Sequence, residues 1–265
     1  MGQKRTRLLV ISLDVAGGQT VAFDSYHREA GEDPKNSLYD GDGITINHVM
    51  ASGTLPLLYG YRDIPKEPGR KFCDGGILSN TPLRELLQAH KNYWKGVLGE
   101  DEYKIPELDV YIINVHPSKQ DEVPTDFDGV KDRINDITFS DRNSQFDEKV
   151  ADLVTDYTDI IDKLKELAKS HLKNKDESDT FFQSEFENLL NTTEAKSKGD
   201  AGEHIKYKDL LKARFRLTKV IRIEPASYSN SISGKGGDFT SKTIMSLIEQ
   251  GKQDTRRVLG LQEKT

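Results

Sequence analysis

With 44 acidic against 38 basic side chains in 265 residues, the chain carries a formal charge of −6 and offers no basic field to gather nucleic acid or anionic lipid. Hydrophobic residues at 35% and charged residues at 31% are a polar balance for an α/β protein, and assign part of the length to solvated helix rather than core. One cysteine, Cys73, excludes an internal disulfide and a multi-cysteine zinc site, and fits a cytoplasmic setting, in solution or peripheral to a membrane.

The basic start leads into Leu8 to Val15, an apolar run broken by Asp14 and too short for a signal segment or a membrane span. It reads as a strand covered on both faces. Gly17-Gly18 turns the chain into a partner strand at Thr20 to Phe23. Residues 25–43 are polar and turn-rich, and Asp40-Gly41-Asp42-Gly43 reads as a solvated turn, since Ala51 stands where a calcium loop needs glutamate. Ile44 to Ser52 has a short helical pattern closed by Gly53 and Pro56. Arg70 to Cys73 then runs into Asp74-Gly75-Gly76, and Pro82 opens a helix through about His90.

Leu108 to Val115 is a further β-branched strand, ended by His116-Pro117. Its place after a helix predicts a βαβ crossover and a largely parallel sheet. From Val150 to Leu172 apolar residues recur at helical spacing, which predicts one long amphipathic helix serving as a cap over the core or as a coiled-coil contact. A second apolar group, Phe181, Phe182, Phe186, Leu189 and Leu190, follows, with a glycine-containing break at 199–202. Thr218 to Glu224 returns to strand, and Asp238 precedes a closing helix from Phe239 to Leu259. The expected organisation is an α/β core at 8–140, a charged helical insertion at 141–215 and a return to the core at 216–260.

A strand ending in Asp-Gly-Gly sets a carboxylate at the C-terminal edge of a sheet, where open α/β folds keep their sites. Gly75 and Gly76 then let a backbone or a substrate come close to Asp74. By itself the tripeptide also makes ordinary turns. The other candidates carry plainer readings. Ser52 and Ser79 read as packing and turn residues, His116 as a loop histidine, His48 as a surface or packing residue, and Cys73 as core, pointing opposite to Asp74. His27, His90, His171 and His204 are scattered without metal-ligand spacing, which gives a zinc site no support, and no cofactor is expected.

Ala51-Ser52-Gly53-Thr54-Leu55-Pro56, followed by Asp74-Gly75-Gly76 and then Asn80-Thr81-Pro82, resembles the patatin-like phospholipase family. Leu8 to Asp24 is similar to the strand and hairpin that precede this helix in the family, and Asp238 to Arg256 to its closing helix. The resemblance covers about 8–115 and 216–260. It implies a three-layer α/β/α core and a Ser/Asp dyad that hydrolyses acyl esters of lipids without a histidine. In that chemistry serine on a Gly-x-Ser-x-Gly elbow attacks, aspartate takes its proton, and a glycine-rich loop donates to the oxyanion.

Asp74 matches the aspartate, and Gly75 and Gly76 its loop. Neither the elbow nor the oxyanion loop occurs in the sequence, and Gly234-Lys235-Gly236-Gly237 reads as a connection. The expectation is therefore a patatin-like domain without its N-terminal part, inactive alone, acting on a lipid ester only when complemented by that part. A non-catalytic binding protein built on the same core is the alternative. Self-association is expected through the helical insertion or through an unpaired apolar sheet edge at Leu8 to Val15 or a neighbouring strand.

Overall fold

The computed structural model describes residues 6–26, 37–38, 43–98, 104–171, 181–192, 194–198, 204–211, 214–226 and 238–261. Within them the chain is mixed α/β. Strands β1 (Leu9–Asp14) and β2 (Gln19–Asp24) form a hairpin, and β3 is the short pair Ser37–Leu38. Helix α1 (Ile46–Ser52) and the helical turn α2 (Pro56–Tyr59) lead to β4 (Phe72–Asp74). The turn α3 (Gly76–Ser79) and helix α4 (Leu83–Leu98) follow, then β5 (Leu108–Ile113). Helices α5 (Phe127–Thr138) and α6 (Arg142–His171), a π-helical turn at Phe181–Phe186, and α7 (Glu187–Thr192) come next. Strands β6 (Glu194–Lys198) and β7 (His204–Lys206), helix α8 (Tyr207–Leu211), β8 (Leu217–Ile223) and α9 (Ser241–Leu259) complete the order.

The hairpin forms because its turn supplies the backbone it needs. Gly18 sits at φ 61°, a left-handed conformation that glycine adopts without a Cβ clash, and its N–H donates to Asp14 O at 2.9 Å. So short a connection makes β1 and β2 antiparallel. The sheet order is β3-β2-β1-β4, with β4 antiparallel to β1 and β3 parallel to β2. This corrects two expectations. The sheet that carries Asp74 is mainly antiparallel, and the parallel crossover expected of β5 is realised instead with β8.

Nor is β1 an edge, because β2 and β4 flank it. The outer side of β4 is also occupied. Phe72 and Arg62 exchange backbone hydrogen bonds at 2.9 and 2.8 Å, and Asp74 N–H donates to Thr54 O at 2.9 Å. The chain segment 54–62 thus covers the ladder groups that an unpaired edge would expose.

Two apolar clusters hold these elements. Val21, Phe23, Ala51, Ile64 and Phe72 join one face of the sheet to α1, with the buried His48 ring 4.5 Å from Phe23. His48 is therefore a packing residue, and its Nδ1 accepts from Thr45 N–H at the start of the helix. The other face carries Ile11, Ala22 and Cys73, all buried. Leu83 and Leu87 of α4 pack with Val110, Ile112, Leu217 and Val220 of the β5–β8 pair. The α4 helix is also tied to the hairpin, with Thr20 Oγ1 donating to Glu85 at 2.7 Å and Arg7 Nη1 to Ala89 O at 2.9 Å.

Helix α6 forms as the periodicity predicts, but starts earlier and faces the other way. Its small and polar positions Ser144, Ala151, Thr155 and Thr158 turn toward the protein, where Arg222, Arg214 and Arg216 meet Asp141, Asp162 and Asp159. The apolar stripe faces outward, which corrects its expected role as a cap over the core. Helix α5, capped by Asp126 accepting from Gly129 N–H at 2.8 Å, has no counterpart in the sequence reading. The β6–β7 pair is likewise unanticipated within the insertion. The segments Asp40-Gly41-Asp42, 199–202 and Gly234 to Gly237 lie outside the described residues. Among the described residues, no helix is long and apolar enough to cross a membrane.

Candidate active site around Asp74

Asp74 ends β4 opposite Ser12 on β1, and Ser12 in turn pairs with Val21 on β2. Directly opposed residues share a face, so Val21, Ser12 and Asp74 form one row across three strands. Cys73, paired with Leu13, points to the other face, as the strand alternation predicts. Burial raises the Cys73 thiol above its ordinary range, and the adjacent Asp74 charge adds to this, which keeps the sulfur protonated and inert.

The Asp74 carboxylate is half-buried and is anchored on one side. Its Oδ1 accepts from Gly76 N–H at 2.8 Å, and Oδ2 accepts no hydrogen bond from the described residues. Both glycines are explained by close approach rather than by unusual torsions. A Cβ on Gly75 would lie 2.5 Å from Ile11 O and 2.8 Å from Ile11 C, atoms of the central strand. On Gly76 it would meet Asn80 Oδ1 at 3.0 Å and Asp74 Oδ1 at 3.1 Å, the ends of two side chains.

The contrast is testable. Gly75→Ala is expected to lose about 3 kcal/mol of stability, because β1 itself must move. Gly76→Ala should lose about 1 kcal/mol, because side chains can swing aside. Urea midpoints that rank the two variants the other way would contradict this account of the loop.

The structure brings together the two motif pieces that the sequence keeps about twenty residues apart. Ala51 is fully buried in the α1 cluster, and the Thr54 carbonyl beyond it accepts the Asp74 amide. Thr54 is also buried; its hydroxyl donates to Met50 O and accepts from Arg62 Nε at 3.3 Å. Ser52 is half-buried on the same helix. Asn80 donates from Nδ2 to Phe139 O at 2.6 Å, and Ser79 Oγ to Glu85 Oε2 at 3.4 Å, so both serve as turn anchors.

His116 Nδ1 lies 3.3 Å from Asp136 Oδ1, with its ring 5.5 Å from Phe139. Its partner is thus a buried carboxylate of α5, and not Asp74. Of the second apolar group, the Phe186 ring sits 4.9 Å from Lys165 Nζ on α6; the side chains of Phe181 and Phe182 lie outside the described residues. Among the described residues, no group of three or more His, Cys, Asp or Glu could hold a metal ion.

Two buried polar groups near these elements were not singled out from the sequence. Asn114, at the end of β5, accepts His116 N–H on Oδ1 at 3.2 Å, while its Nδ2 has no partner among the described residues. Ser12 Oγ is fully buried beside Asp74 and also lacks a partner among the described residues. The only sequence signal for Ser12 is that it interrupts an apolar run. A hydroxyl shut away from solvent cannot attack a substrate, and an unpaired one destabilises the fold. Ser12→Ala should therefore raise stability by about 1 kcal/mol, seen as a higher urea midpoint; a lower midpoint would mean that the hydroxyl is satisfied in solution.

No family model, characterised protein sequence or solved structure matches this chain.

Proposed function

We propose that this chain is the aspartate-bearing part of a patatin-like lipid acyl hydrolase, with Asp74 as the general base of a Ser/Asp dyad. The serine and the oxyanion donors come from polypeptide outside these 265 residues. In the complete site the serine Oγ attacks the ester carbonyl and its proton passes to Asp74 Oδ2. The tetrahedral intermediate then expels the alcohol, which takes that proton from Asp74 Oδ2; water gives a proton to Asp74 as it attacks the acyl-serine, and Asp74 returns it to the serine Oγ as the fatty acid leaves. The three-layer α/β/α arrangement belongs to the same proposal.

The observation that carries this reading is the hydrogen bond from Asp74 N–H to Thr54 O, which seats the Ala51 to Pro56 segment directly against the Asp-Gly-Gly turn. A lipid substrate is favoured by the surface next to it. No charged residue occurs from Gly43 to Tyr61, and Leu57, Leu58, Tyr59 and Tyr61 are exposed. That is an apolar patch of the kind that marks a binding surface.

The test is a chromogenic ester assay on the purified chain, alone and co-expressed with any Gly-x-Ser-x-Gly polypeptide encoded immediately upstream in any frame. Activity is expected only in the mixture. Absence of such a coding stretch would remove this reading. The second reading, a non-catalytic interaction protein on the same core, is favoured by the exposed apolar face of α6; it predicts a folded chain that is inert in both assays.

A further inference from the structure

The outward face of α6 has a period that a globular helix does not need. Phe146, Val150, Leu153, Tyr157, Ile160, Leu164 and Leu167 alternate at spacings of four and three, and all are between 42% and 64% exposed. A strict repeat of 3.5 residues is the signature of a coiled-coil seam. Val150, Tyr157 and Leu164 occupy one core position of the heptad, and Phe146, Leu153, Ile160 and Leu167 the other. The seam runs about 32 Å along the helix. Its opposite side, through Ser144, Ala151, Thr155 and Thr158, is committed to the protein body, so the two contacts do not compete.

We propose that two copies of this chain associate through α6 as an antiparallel two-stranded coiled coil. The flanking positions choose both the partner and the direction. In the antiparallel register Val150 meets the partner's Leu167, Leu153 the partner's Leu164, and Tyr157 the partner's Ile160. Asp156 then faces the partner's Lys163, and by two-fold symmetry Lys163 faces the partner's Asp156. On the other flank Val154 meets the partner's Ile161, an apolar pair. In a parallel pairing Asp156 would instead face the partner's Ile161, and Lys163 the partner's Ala168, so both charges would lie against apolar groups. Self-complementarity of this kind closes a two-fold dimer without leaving a free end. The inference is independent of the chemistry at Asp74.

Sedimentation equilibrium of the full chain should give twice the monomer mass. Leu153→Asp and Ile160→Asp, both at solvent-exposed positions of the single chain, should give a folded monomer with an unchanged circular dichroism spectrum. Asp156→Lys alone should raise the dissociation constant about tenfold by placing like charges together, and Asp156→Lys with Lys163→Asp should restore it. For direction, Leu153→Cys with Leu164→Cys should form an interchain disulfide on mild oxidation, whereas each single substitution should not; the native Cys73 is buried and does not interfere. A monomer at every concentration, a dimer indifferent to Leu153→Asp, or crosslinking by either single cysteine would overturn the proposal.

Discussion

Arg222→Ala is expected to destabilise the folded chain by about 3 kcal/mol, the range seen when one member of a buried ion pair is removed. The guanidinium reaches from β8 to the start of α6. Nε donates to Asp141 Oδ2 at 2.6 Å, Nη2 to Ser144 Oγ at 3.1 Å, and Nη1 lies 2.6 Å from Glu148 Oε2. Burial works against the charge on Arg222, but the Asp141 and Glu148 carboxylates outweigh it, so its pKa is raised.

Asp141 is 1% exposed and its other oxygen is taken by the Ser144 hydroxyl, so without Arg222 it becomes a desolvated charge with no counter-ion. Replacing that charge as well, in Arg222→Ala with Asp141→Asn, should recover part of the loss. Equilibrium urea unfolding measures both variants. A loss under about 1 kcal/mol for the single variant, or a double variant worse than the single, would show that water reaches Asp141 and screens it.

The same contacts explain why α6 was legible as a helix but not in its orientation. Periodicity locates an apolar stripe and says nothing of what covers it. The partners of the polar face, Arg214, Arg216 and Arg222, lie far along the chain, from Asp162, Asp159 and Asp141 respectively, and no local pattern announces such pairings. The hairpin was legible because glycine at a positive φ and an apolar run are local signals. Helix α5 was not, because Gly129 and several aspartates lower its helical propensity and its apolar residues Phe127, Val130 and Ile134 stay exposed. At the site, the resemblance to patatin-like phospholipases singled out Asp74 and the Ala51 to Pro56 segment. It could not show Ser12, whose nearness depends on the β1–β4 register.

That geometry makes Asp74→Asn the most informative change to the proposed chemistry. An asparagine Oδ1 can still accept the Gly76 N–H, and the backbone bond to Thr54 does not involve the side chain, so the fold and its urea midpoint should be preserved. The position of Oδ2, however, becomes an amide that donates protons and cannot take one from a serine. Ester hydrolysis by the chain assembled with its serine-bearing complement should fall by about 10³-fold or more, the scale set by loss of a positioned general base. The loss should appear in kcat with little change in KM, because the carboxylate acts on the reacting proton and not on the acyl chain. A variant that folds normally and retains full hydrolysis would remove Asp74 from the dyad, and with it the only group in this chain to which the reaction assigns a proton.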